Sequence, residues 1–544
     1  MGDSSTEQGR KREEDGGCCS SVVQSEADED PLVIVANGAG CGAFLRREFQ
    51  GWTVDHVQVF LITYVSYALF HASRKTFSNC KAQVEANWLP TRTIRGLQPD
   101  TSWKARSFLF SEESSAKNFL GDLDAIFMSS YAIGLYVSGY LGDRFDHRKV
   151  LAFGMLLSGL TLFLFGCAPE WLHFYSVGWY VTTYVLFGLA QSCAWPSEVA
   201  VMANWFGRSN RGFVLGLWAS CQSFGNIVGS FLVPVFLPYG FEFAFLAFSS
   251  LMVAGSIVVF FSLVPHPIDI VEDDSVPILP SSSSSSSSYG AAVPSPRRRR
   301  RSTLWSSSSE SVRPPINFFR AVLLPGVLAY CLCNACLKLV NYAFFFWLPY
   351  YLSSSCDWPT TLADDVSIAY DIGGILGSVG GGIISDLLKC RSPVIVAMLV
   401  ASLFSLFGYS RFPCDEVWNG AMVGVVGVFV GGAYNLIAAT VSADLGSQSA
   451  LLSNAQALAT VTGLIDGTGS VGSAIGQAVV PVISELHHGT GWVYVFYLFI
   501  LMNILAVLCL LRRFVRDSRQ LCCPSQEERP LLEAERANSP KIDS

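Results

Sequence analysis

A chain of 544 residues is long enough for three or four soluble domains, but its composition excludes that reading. Hydrophobic residues make up 51% and charged residues 15%, against roughly 25% charged in soluble proteins, and mean hydropathy is +0.39. Acidic and basic residues nearly balance, 43 against 36 for a net charge of −7, so the sequence implies no nucleic-acid partner.

In chain order, residues 1–54 are polar and acidic and read as a disordered cytosolic tail without a cleavable signal pattern. Apolar runs long enough to span a bilayer then recur near 57–79, 123–142, 150–167, 174–200, 212–236 and 242–264, and again near 325–352, 366–386, 393–410, 418–442, 455–483 and 491–511. The expected fold is therefore an all-α polytopic membrane protein with twelve transmembrane helices. The two six-helix halves cover 55–264, with a loop at 80–118 facing the lumen or exterior, and 317–511. Between them, 265–316 carries a Ser281–Ser288 run and five arginines, Arg297–Arg301, and reads as a disordered cytosolic linker; 512–544 is a second cytosolic tail. Arg144, Arg148, Lys149, Arg208, Arg211, Lys389 and Arg391 occupy one set of short loops, and only Arg411 the other. That bias places the first set and both termini in the cytosol. Cys331, Cys333 and Cys336 lie in an apolar run without histidine, which reads as packing, so no metal or other cofactor is expected. No catalytic constellation is present, which excludes an enzyme along with a disulfide scaffold.

The halves repeat each other. Gly139-Tyr-Leu-Gly-Asp143-Arg144-Phe-Asp-His-Arg148-Lys149 follows the second span, and Gly382-Ile-Ile-Ser-Asp386, then Lys389 and Arg391, follows the eighth. Tyr131-Ala-Ile-Gly134 and Tyr370-Asp-Ile-Gly373 stand upstream. Such duplication is the layout of a transporter whose halves rock about a central site. The G-x-L-x-D-R-x-x-x-R-K loop resembles the cytosolic signature of the major facilitator superfamily, with Asp146 and His147 in place of its usual Gly and Arg. Gly139, Asp143, Arg144, Arg148 and Asp386 are then expected to gate the cytosolic side.

Charges within spans cost roughly 2.5–3.5 kcal/mol each on insertion scales, so the few present point to function. Tyr67, His71 and Arg74 fall on one face of the first span with Lys75 at its edge, and an arginine fork suits phosphate oxygens. The alternative is that Arg74 and Lys75 snorkel to the headgroups. In the seventh span Lys338 is the one cation, with Asn341 and Tyr342 a turn on. One cation from each half would make a dianion site, unless Lys338 pairs with Asp371 or Asp466. Asp371, Asp466 and Glu198 are candidates for charge balance or proton coupling.

Ser73-Arg-Lys-Thr-Phe77, Ala194-Trp-Pro196, Asn204-Trp-Phe-Gly207 with Arg211-Gly212, and Trp347-Leu-Pro349 resemble the organophosphate:phosphate antiporter family, over about 55–515. Leu337–Tyr342, Ser442–Gly446 and Ile465–Gly469 are similar to the third branch of its vertebrate sugar-phosphate exchangers. The resemblance implies that Arg74 binds phosphate and that Tyr67 lines the site. Three departures stand out: Asn341 replaces the second arginine, Leu135 a basic residue, and Cys221 and Gln222 occupy the stretch of a missing histidine. Gln222 is counted with the substrate-binding candidates, and Lys338 would have to serve for the second arginine.

The function expected is alternating-access transport of a phosphate-type organic anion, a sugar phosphate or relative, in exchange for inorganic phosphate. One alternative is a proton-coupled or facilitative exporter of phosphonate-like anions from lysosomes. The other is a transporter-like membrane scaffold or sensor acting through the Arg run and the tails; membrane lipid and an accessory membrane subunit are further partners considered for the protein. The resemblance implies the endoplasmic reticulum, whereas Glu527 with Leu531 and Leu532 forms an acidic dileucine pattern for lysosomal sorting.

Overall fold

The first spanning helix, α1, runs Val54–Trp88 and is capped by Thr53, whose hydroxyl accepts from the His56 amide. It continues well past the predicted end at 79, and α2, Glu113–Gly142, starts before the predicted 123, so the predicted loop 80–118 loses both its ends to helix. A neutralised charge allows the extension: Lys81 pairs with Asp124 of α2, which is 1% exposed, and lies within 6 Å of the Phe77 and Phe346 rings, at 5.5 and 5.6 Å. α3, His147–Gly166, is capped by Asp146 accepting from the Arg148 amide at 2.9 Å, which gives the departure from the loop signature a structural use.

The fourth and fifth predicted spans are each broken. α4 comprises Val177–Gln191 and Ala194–Trp205, and α5 comprises Arg211–Ala219 and Cys221–Phe236. There follow α6 (Phe241–Ser262), α7 (Val327–Cys356), α8 (Thr360–Leu387) and α9 (Ser392–Tyr409). α10 starts as Glu416–Asn435, widens to a π-helix over Leu436–Val441 and ends at Gly446. α11 spans Leu458–Ser484, and α12, Gly491–Cys522, carries helix into the predicted tail beyond 512. This is the twelve-helix architecture expected, in a computed structural model that describes residues 49, 52–90, 108–207, 211–267, 317–411, 414–448, 457–484 and 491–522. Apart from Phe49 these belong to one unit, Trp52–Ser544. Arg208, the Ser281–Ser288 and Arg297–Arg301 runs, Glu527, Leu531 and Leu532 lie outside the described residues.

Among the described residues nine helices are long and apolar enough to cross a membrane by length and composition. The three that miss this measure are α1 and α11, which carry ionisable and hydroxyl groups in mid-helix, and the broken α4. These helices carry Arg74, Lys75, Gln191 and Asp466.

Two equivalent latches join the halves at one end. The Asp143 carboxylate at the end of α2 accepts from the amides of Ala459 and Thr460, at 2.9 and 2.8 Å, in the first turn of α11. Asp386 at the end of α8 accepts from Gly212 and Phe213, at 3.0 and 2.6 Å, in the first turn of α5. Each acid thus satisfies free N–H groups and faces the positive end of a helix dipole. Asp444 adds a bridge, accepting from Arg211 and from Arg391, both at 3.1 Å, while Arg391 also pairs with Asp386. Arg144 and Arg148 do not latch the halves here: Arg144 donates to the Tyr140 carbonyl and Arg148 to Asp146, each within its own segment.

The latches close because glycines let the backbones meet. A side chain on Gly463 of α11 would stand 2.5 Å from the Leu135 carbonyl and 2.8 Å from the Gly139 Cα. Gly463→Val is therefore expected to hold this end open. The buried Thr462 reports it: a water-soluble maleimide should label Thr462→Cys several-fold faster when Gly463→Val is present, and equal rates would refute the packing argument.

At the opposite end a disulfide, Cys356–Cys414, ties the end of α7 to the segment before α10. The sequence reading missed it, since neither cysteine belongs to a recognisable spacing pattern.

Candidate functional site

Between the latches and the disulfide end, α1, α5, α7, α8 and α10 line a cavity. His71, Lys75, Gln222, Asn341, Tyr342 and Asp371 all line it, so six of the predicted site residues converge from both halves. Hydrogen bonds cross the seam: Gln222 donates to Asn435 at 3.2 Å, and Asn226 links the His71 ring at 3.0 Å to the Asp371 carboxylate at 2.9 Å. Tyr370 donates to Asn341 at 2.6 Å. Lys75 is 5% exposed, with its ammonium 4.6 Å from the centre of the Phe345 ring, so it does not snorkel outward.

Arg74 is also buried, at 5% exposure, but is absent from the cavity wall. Its Nε donates to Gln191 at 2.6 Å, and Gln191 in turn donates to Ser73. The guanidinium lies over the Tyr131 ring at 4.5 Å. Nη1 and Nη2 have no hydrogen-bond partner, and neither do the Tyr131 hydroxyl and the Nε2 of His71. The periodicity of α1 places these groups: Tyr67 packs on His71 with ring centres 5.1 Å apart, and Arg74 follows on the same side. Behind Tyr67, Trp195 stacks on Trp218 at 5.0 Å and donates to the Ala438 carbonyl in the π-helical stretch of α10.

Lys338 is not the free counterpart of Arg74. Its ammonium donates to the Asp466 carboxylate at 2.7 Å and to Ser470 at 2.8 Å, with Lys338 and Asp466 at 0% and 1% exposure. Of the two arrangements open from sequence, the structure takes the ion pair. A buried ammonium needs a counter-charge, and α11 presents one a helix diameter away. Lys338 nevertheless flanks Tyr131 at 5.4 Å and Tyr342 at 5.0 Å, so the pair adjoins Arg74. Glu198 is fully buried, accepting from Ser66 at 2.7 Å, and among the described residues no cation lies within 4 Å of it.

Sequence reasoning had not singled out Gln191, Asn226 or Asn435 for the site, nor Arg211, Arg391 and Asp444 for the latch. An amide within an apolar span was the available signal for the first three. Among the described residues no group of His, Cys, Asp and Glu could hold a metal ion.

The sequence pattern of the Major Facilitator Superfamily matches residues 105–464. The chain belongs to this superfamily. It is 45% identical over 485 residues to Sugar phosphate exchanger 3 of Gallus gallus, covering 86% of this chain and 94% of that one. It is 35% identical to Glucose-6-phosphate exchanger SLC37A2 of Xenopus tropicalis over 474 residues, with 85% and 93% covered. The proton:xylose symporter XylE, solved with 6-bromo-6-deoxy-D-glucose, superposes with a TM-score of 0.54 at 11% identity, covering 84% of this chain and 95% of that one; that likeness shows the fold alone. The chain is a multi-pass membrane transporter and not an enzyme.

Proposed function

We propose that the protein exchanges a phosphate-type organic anion, a sugar phosphate or close relative, for inorganic phosphate by alternating access in an intracellular membrane. The observation that carries this reading is a cluster of buried polar atoms without a partner at the central site: Arg74 Nη1 and Nη2, His71 Nε2 and the Tyr131 hydroxyl. Buried polar groups are almost always paired, and a planar pair of guanidinium donors matches two oxygens of a phosphoryl group. The relatives named as sugar phosphate and glucose-6-phosphate exchangers support the same class of substrate.

Exchange follows from charge. Lys338 has Asp466, and Lys75 feels Asp371 across the cavity. Among the described residues no carboxylate lies within 4 Å of Arg74, so its charge stands uncompensated. Turning an empty carrier over would carry that charge through a closed, low-dielectric state, whereas bound phosphate offsets it. In proteoliposomes, labelled phosphate should enter only when phosphate or glucose 6-phosphate is present inside. Equal uptake into empty vesicles would overturn exchange.

The latched end is the basic-loop end and is assigned to the cytosol together with both termini. The disulfide at the other end supports this, since disulfides persist on the oxidising side of a membrane. The lumen of the endoplasmic reticulum meets that condition, and a lysosomal protein acquires its disulfides there.

A further inference from the structure

The arrangement of Lys338, Asp466 and Arg74 points to more than a static ion pair. We propose that Lys338 is a latent second anion-binding cation, released when Asp466 takes up a proton, so that anion binding carries a proton with it. This rests on the reading of Arg74 as the phosphate ligand and adds a coupled ion to it.

Three carboxylates within the spans are candidates for such a proton, and geometry separates them. Glu198 bonds Ser66 with no cation within 4 Å among the described residues, so a proton on it frees none; Asp371 bonds Asn226 and faces Lys75 across the cavity without a direct ion pair. Asp466 alone of the three holds a lysine, through its Oδ1 at 2.7 Å. That lysine is already aimed at the site. The Tyr131 ring has Arg74 4.5 Å and Lys338 5.4 Å from its centre, and Tyr342, which lines the cavity, is 5.0 Å from the Lys338 ammonium. Ser470 holds the ammonium by a second bond at 2.8 Å and can keep it in place when the carboxylate is neutral.

The charge balance is simple. With Asp466 ionised, the pair is neutral and the site has the single charge of Arg74 free. A proton entering the Asp466 carboxylate leaves the Lys338 ammonium intact and raises the free charge by one, matching a phosphate dianion; release of the anion restores the pair and expels the proton. Asn341, which stands where the resemblance expects a second arginine, accepts a hydrogen bond from Tyr370 and supplies no charge. The groups that face Asp466 are Tyr67 from α1, Tyr131 and Tyr136 from α2, Lys338 and Tyr342 from α7, and Tyr434 from α10. His71, Lys75 and Asp371 are the other ionisable groups that line the cavity, with Tyr342 and Tyr370.

The test uses the full-length protein in proteoliposomes, with inorganic phosphate as probe, at about pH 5.5 and about pH 7.5. Phosphate's own ionisation affects every variant alike, so the comparison is between proteins. From the higher to the lower pH the wild type should gain about tenfold more in apparent phosphate affinity than Asp466→Asn does, the worth of one charge-assisted bond. A second measurement needs no variant: adding phosphate to the wild type should produce a new carboxylic-acid band in the infrared difference spectrum. If Asp466→Asn tracks the wild type, or if no such band appears, the proton step is wrong while phosphate exchange stands. Absence of phosphate exchange in the wild type at both pH values would instead overturn the reading of Arg74.

Discussion

Arg74→Gln is expected to abolish phosphate exchange, with a loss of more than about a hundredfold, and Arg74→Lys is expected not to restore it. Gln191 fixes the guanidinium through Nε, so Nη1 and Nη2 form the presented edge. Two charge-assisted bonds at about 1.5–3 kcal/mol each amount to more than about a hundredfold in affinity. Glutamine lacks the charge. Lysine keeps it as a single point on a flexible stem, without the fork and without the Nε anchor. Stability should move the other way. An unpaired buried cation is a cost in the empty protein, so Arg74→Gln should melt at the wild-type temperature or above it while failing to exchange. Loss of exchange with normal or raised thermal stability is the signature of a ligand-binding charge; full exchange in the Gln variant would place the site elsewhere.

That opposition explains what could be read in advance. The Tyr67–His71–Arg74 face was legible because it depends only on the spacing of one helix. Which cation is free was not, because it depends on contacts between distant segments. Lys338 and Asp466 are 128 residues apart and meet only when α7 packs on α11. The latches divide in the same way. Asp143 and Asp386 stand out as a repeated motif, but their partners are backbone amides of Ala459, Thr460, Gly212 and Phe213, which have no side-chain signature. The predicted ends of α1 and α2 stopped short for a related reason. Lys81 and Asp124 look like polar boundaries in sequence and become neutral together once the helices touch. Hydropathy is weakest where the site is built: among the described residues α1 and α11 miss the spanning measure, and they carry Arg74, Lys75 and Asp466.

The second large effect is expected at Lys338. Lys338→Met should destabilise the protein by about 3–5 kcal/mol, the usual cost of stranding one partner of a buried ion pair. Asp466 would be left 1% exposed with only the Tyr434 hydroxyl at 3.4 Å. Removing both charges should reverse most of the loss, because a well-packed apolar pair in such a site is often neutral or stabilising. Lys338→Met with Asp466→Leu is therefore expected to melt close to the wild type in detergent. The non-additivity is the decisive quantity: residues in contact show coupling that distant ones lack. Were the single and double variants equally unstable, Lys338 would be held by something other than Asp466. A stable double variant then isolates function from folding. It keeps Arg74, its Gln191 anchor and the Tyr131 ring, and it lacks the latent cation. Its phosphate affinity should stay at the level set by one guanidinium and should not tighten as the medium is acidified. A double variant that is stable and still tightens on acidification like the wild type would assign the pH response to another group.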